Sequence, residues 1–121
     1  MFRFKIVLLV LAKLLQRAAK SNPDCVSHVK GKDLIFQIRT VQGVGRYFMV
    51  KNGEIKSTSG LAKNPKFTLT FRDGKSGFSV LSAKNGKEAF LSALGRKDLV
   101  VSGDFIEIMW FQRLADYLRS E

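Results

Sequence analysis

The sequence predicts an α+β fold: about five strands in a mostly antiparallel sheet, covered on one face by helices. Three observations carry this prediction. Segments around Leu34 and Lys66 alternate apolar and polar residues with a period of two, which marks half-buried strands. The first twenty residues and the stretch from Asp104 to Arg119 repeat their apolar residues at helical spacing instead. Between them, Gly31-Lys32-Asp33, Asn52-Gly53 and Asn64-Pro65 cut the chain into short pieces with turn chemistry.

The opening helix gathers Lys5, Lys13, Gln16, Arg17 and Lys20 on one side, with Arg3 at the margin. Phe2, Phe4, residues 6–11, Leu14, Leu15 and Ala18 supply a broad apolar face. Pro23 disfavours helix at Asn22, so the helix ends near Ser21. This divides the chain into a basic amphipathic helix, residues 1–22, and a domain, residues 23–121. The uncharged run from Ile6 to Ala12 is far shorter than the roughly 18 residues of a membrane span. A cleaved signal would take Arg3 and Lys5 as its charged end. Lys13, Arg17 and Lys20 then occupy the region that should be small and neutral. Two further readings stand beside the cleaved signal. The helix lies in a membrane interface, with Arg3, Lys5, Lys13, Arg17 and Lys20 toward anionic lipid and Phe2, Phe4, Leu8, Leu11 and Leu15 inserted. Alternatively it packs on the domain as a lid, its lysines reaching water.

Val26 to Lys30 and Leu34 to Thr40 read as the first two strands, followed by Arg46 to Lys51 and a short return from Glu54 to Ser57. Asn52-Gly53 joins the latter pair as a hairpin turn. The next strand runs from Lys66 to Arg72, with Phe67, Leu69 and Phe71 on one face. Helical patterns at Gly74–Ser82 and Gly86–Gly95 then lead to a strand, Asp98 to Gly103. The expected sheet is a largely antiparallel meander.

In the terminal helix Ile106, Trp110, Phe111, Leu114, Tyr117 and Leu118 form one apolar face, and Asp104 caps the start. Phe105, Ile108 and Met109 fall outside that stripe. A helix apolar beyond one face needs a second burial partner: a ligand cavity, the opening helix or a second copy of the chain.

The order of elements from Lys66 to Tyr117 resembles the sterol carrier protein two family of lipid-binding domains. Its pattern is matched by Leu69-Thr70-Phe71, the turn Arg72-Asp73, the helix Phe78 to Ser82, the loop Asn85-Gly86-Lys87, Ala89-Phe90 and the strand Asp98 to Gly103. The resemblance covers about residues 25–119. It implies a five-stranded sheet with helices on one side, enclosing an apolar tunnel that binds fatty acyl chains, sterols or phospholipids without catalysis. Some bacterial members assist quinone synthesis, so an isoprenoid quinone intermediate joins the ligand candidates. The matching wall residues are Phe67, Leu69 and Phe71 on the strand, with Phe78, Leu81, Phe90 and Leu94 on the short helices. Ile106, Met109, Trp110 and Leu114 close the tunnel. The chain ends Arg119-Ser120-Glu121, unlike the peroxisomal address of eukaryotic members, and the opening helix is not part of the family pattern. The expected setting is cytoplasmic, with peripheral attachment to membranes.

Charge and composition bound the function further. A chain of 121 residues carries 21 basic and 10 acidic side chains, for a formal net charge of +11. Five of the basic residues precede Asp24. Such a balance favours anionic partners, phospholipid surfaces or nucleic acid. Arg46-Tyr47-Phe48 and Phe71-Arg72 interleave cations with aromatics only faintly, and the body's other basic residues sit chiefly in turns (Lys32, Lys56, Lys63, Lys75, Lys84, Lys97), so a protein–protein or nucleic-acid-binding module using the basic surface is the alternative reading. The single Cys25 forms no intrachain disulfide, and Cys25 with His28 falls short of a zinc ligand set; read on a strand, the two face opposite ways. Gly43-Val44-Gly45 lacks the third glycine of a dinucleotide loop and reads as a turn. The acids Asp73, Glu88, Asp98, Asp104, Glu107 and Asp116 are scattered beside turns and helix starts, as caps are. No cofactor, metal or catalytic residue is expected.

Overall fold

The computed structural model describes residues 2–119, the last of them by its backbone alone. Ser120 and Glu121, on which the reading of the chain end rests, lie outside the described residues. The elements run α1 (Phe2–Ser21), α2 (Pro23–Val29), β1 (Leu34–Thr40), β2 (Gly45–Lys51), β3 (Glu54–Ser59), β4 (Phe67–Phe71), α3 (Gly74–Leu81), α4 (Gly86–Arg96), β5 (Leu99–Gly103) and α5 (Phe105–Arg119).

The segment expected as a first strand, Val26 to Lys30, is instead most of α2. Asn22 caps it, its Oδ1 accepting from the backbone N–H groups of Asp24 and Cys25 at 3.0 and 3.2 Å. Pro23 occupies the first turn, where its missing N–H is no loss. Cys25 and Val29, one turn apart, are both fully buried. On this helix Cys25 and His28 are three residues apart and so lie on neighbouring positions rather than opposite faces.

The sheet is mixed, in the order β3-β2-β1-β4-β5. The meander holds only for β1 to β3. β4 then pairs parallel to β1, with Phe36 opposite Phe67 and Ile38 opposite Leu69, and β5 pairs antiparallel to β4. The connecting loop is tied to β1: Ala62 N–H donates to Gln37 Oε1 at 2.9 Å, and Lys66 N–H to the Ile35 carbonyl at 2.7 Å.

One sheet face carries the core. Phe36 stacks between Phe48 and Phe67, with centroids 4.8 and 5.0 Å away, and meets Phe111 of α5 at 5.0 Å. Phe4, Leu8 and Leu15 of α1 are buried in the same cluster. Gly77 is required where α3 crosses α1, since a Cβ there would overlap the Phe4 ring. Gly103 ends β5 at φ +114°, pressed against the Lys66 carbonyl.

Candidate functional site

β4 provides the floor of an apolar groove of about 780 Å³, roofed by α1, α3, α4 and α5. That is within the range of small-molecule sites. Leu69 and Phe71 reach it from the sheet because alternation along β4 turns both toward the helices. Val80 and Leu81 come from α3, whose start is fixed by Asp73: its Oδ1 accepts the Ser76 N–H at 2.8 Å. That backbone hydrogen bond, with the Ser76 side chain and then nearby Arg72 and Lys75, holds the Asp73 carboxyl below its ordinary value of 3.8. Phe90 comes from α4, capped by Asn85, and Ile106, Met109 and Trp110 from α5, capped by Asp104.

Seven of the eleven residues named for the wall therefore share one groove: Leu69, Phe71, Leu81, Phe90, Ile106, Met109 and Trp110. The other four lie elsewhere. Phe67 and Leu114 are buried in the closed core, where Phe67 packs on Phe36 and Phe111. Phe78 and Leu94 pack against that core from outside the groove, and Phe78 lies under the Arg3 guanidinium at 5.9 Å.

The phase of α5 also differs from expectation. Ile106 was placed on the docking face and Ile108 outside it. Ile106 is 73% exposed, whereas Ile108 is buried beside Phe111 and Leu114. Phe105 and Met109 join Ile106 as an open apolar edge.

α1 contributes lining that the sequence did not single out: Val7, Val10, Leu11 and Leu14. Their spacing of three or four residues was the available signal. This position corrects one part of the membrane reading of α1, the set of residues expected to insert. Phe4, Leu8 and Leu15 are buried in the core and cannot insert in a bilayer while α1 is docked. The apolar residues that point outward are Phe2, Ile6 and Leu9, among exposed Arg3, Lys5, Lys13, Arg17 and Lys20. No described helix is long and apolar enough to cross a membrane.

Polar groups border the groove at two places. His28 lies at its α2 side, held by Trp110: the indole Nε1–H donates to the His28 carbonyl at 3.1 Å, and His28 Nε2 donates to the Trp110 carbonyl at 2.9 Å. Lys32 sits 5.5 Å from the Trp110 ring and pairs with Glu107 at 2.5 Å, bracing α5 against the loop after α2. Lys84 and Lys87, at the start of α4, and Arg113 and Asp116 of α5 also border it. Among the described residues no three His, Cys, Asp or Glu side chains cluster as a metal site. The arrangement offers enclosure of an apolar body and charge at the rim.

No family model and no curated protein matches the chain. Solved structures do. A UbiJ-SCP2 ubiquinone synthesis protein superposes with a TM-score of 0.67 at 16% identity, over 97% of this chain and 94% of that one. The sterol carrier protein domain 2 of Helicoverpa armigera gives 0.64 at 17% identity, over 95% and 90%. Sterol carrier protein 2 from Yarrowia lipolytica, in its apo form, gives 0.55 at 18% identity, over 86% and 89%. The chain has the fold of the sterol carrier protein 2 domains.

Proposed function

We propose that this chain is a non-catalytic lipid carrier. It takes the apolar part of a fatty acyl chain, phospholipid, sterol or isoprenoid quinone intermediate into the groove between β4 and helices α1, α3, α4 and α5. The observation that carries this reading is the groove itself: about 780 Å³, floored by Leu69 and Phe71 and bounded on three sides by apolar helix faces. Burying a 16-carbon chain there offers on the order of 10 kcal/mol before binding costs. The quinone intermediate is kept among the candidates because one structural neighbour is a ubiquinone synthesis protein. The exposed basic residues of α1 support docking to an anionic membrane during loading and delivery.

Native mass spectrometry of the purified protein, followed by organic extraction, tests the carrier reading. A lipid adduct at one per chain is expected. A protein that carries no lipid, and takes up none when offered fatty acids, phospholipids, sterols or prenylquinones, overturns it.

A further inference from the structure

We infer that the groove rim carrying Lys87 of α4 and Arg113 of α5 is an anion subsite, so that the preferred occupant is an amphiphile with an anionic head group. This rests on the carrier reading and specifies its ligand. Three of the side chains bordering the groove there are cations: Lys84 in the α3–α4 turn, Lys87 in the first turn of α4, and Arg113 on α5. Arg113 stands one turn beyond Met109, so it continues the groove wall from apolar to charged. Asp116 is the acid among the lining residues, and the subsite rests on Lys87 and Arg113. Neither Lys87 nor Arg113 forms an ion pair among the described residues. At the opposite, His28 side the polar groups are spent on the Trp110 hydrogen bonds. A bound amphiphile is therefore oriented: tail toward Phe71, Leu11 and Trp110, head between Lys87 and Arg113.

The chemistry recognised is a single anionic head, whether carboxylate or phosphate monoester. The test compares hexadecanoate, hexadecyl phosphate and hexadecanol at pH 8 and low salt, where the carboxylate is ionised. Each is titrated below its self-association limit against a displaceable fluorescent probe. At least one charged ligand is expected to bind about tenfold more tightly than the alcohol, since two exposed ion contacts contribute a few-fold each. Lys87→Glu with Arg113→Glu is expected to abolish that preference, read within the variant as the ratio of charged-ligand to hexadecanol affinity. Lys56→Glu with Lys63→Glu, the same charge change on exposed residues that do not line the groove, is expected to preserve it. Equal binding of all three ligands by the parent overturns the inference and leaves the carrier reading standing. So does loss of the preference in the remote variant, which assigns the effect to net charge. Binding of none of the three by the parent also overturns the inference, and the carrier reading is then decided by the mass-spectrometric uptake of phospholipids, sterols and prenylquinones.

Discussion

Trp110 and His28 exchange hydrogen bonds through each other's backbone, and their rings lie parallel, 13° apart with centroids at 5.4 Å. A carbonyl only accepts, so both bonds require a proton on His28 Nε2 and on the indole nitrogen. This clasp joins α2 to α5 and sets one wall of the groove. Trp110→Phe keeps the ring and deletes the donor, leaving the half-buried His28 carbonyl without it. A loss of about 1–3 kcal/mol is expected in urea unfolding followed by circular dichroism. An unchanged midpoint would mean that the clasp adds nothing.

Trp110 is also the sole tryptophan and lines the groove, so it reports on occupancy. Adding a saturating amphiphile to delipidated protein is expected to shift its emission to the blue. An emission spectrum that does not move, while uptake is shown by mass spectrometry, would place the ligand away from Trp110.

Gly77 is where α3 packs against the Phe4 ring of α1. Gly77→Ala forces a methyl group into the Phe4 ring and toward Phe71. A destabilisation of about 1–3 kcal/mol is expected from overpacking, visible as a lower thermal midpoint. Phe4→Leu in the same chain should recover part of it by making room. If the double variant is no better than the single, the clash is not with Phe4.

These residues also show what the sequence discloses. The phase of β4 was legible because Phe67, Leu69 and Phe71 alternate with Thr68 and Thr70, and a strand with one buried face admits no other register. The end of α1 was legible from Pro23. The next segment was read as a strand from Val26 to Lys30, whereas an Asn cap followed by Pro and Asp begins α2 there. The parallel pairing of β4 with β1 was not legible, because strand direction is set by the loop crossing beneath Gln37 and not by local pattern. The wall was read in part. A β-strand's faces follow from parity, which found Leu69 and Phe71, whereas α5 is apolar nearly all round and its phase was settled by tertiary contacts. Hence Ile106 and Ile108 exchanged places, and Leu114 went to the core.

Asp73 makes α3 sensitive to acid. Its folded-state carboxyl titrates below 3.8 because the Ser76 N–H binds the charged form. A depressed value of this kind contributes stability in full above the unfolded value and loses it as pH falls through the folded one. Asp73→Asn keeps a capping oxygen but cannot titrate. Its unfolding midpoint is expected to fall less steeply than the parent's below pH 4. Parallel acid limbs would show that the cap's charge is irrelevant.

The docking of α1 to membranes separates charge from apolar insertion. Lys13, Arg17 and Lys20 are exposed on the outer side of the helix, and none of them lines the groove. Each basic residue near an anionic surface contributes about 1 kcal/mol, so reversing all three to Glu should weaken sedimentation with anionic vesicles by well over tenfold. Binding of the parent should fall as salt rises, since exposed charges are screened. Phe2, Ile6 and Leu9 face outward beside those cations. Their replacement by Ser should weaken binding to neutral and anionic vesicles alike, and should make what remains more salt-sensitive. Neither set touches the groove, so lipid content by native mass spectrometry should be unchanged. If the charge-reversed chain binds anionic vesicles like the parent, electrostatic docking through α1 is wrong. If it loses its bound lipid instead, α1 acts as the lid whose inner residues, Val7, Leu11 and Leu14, close the groove.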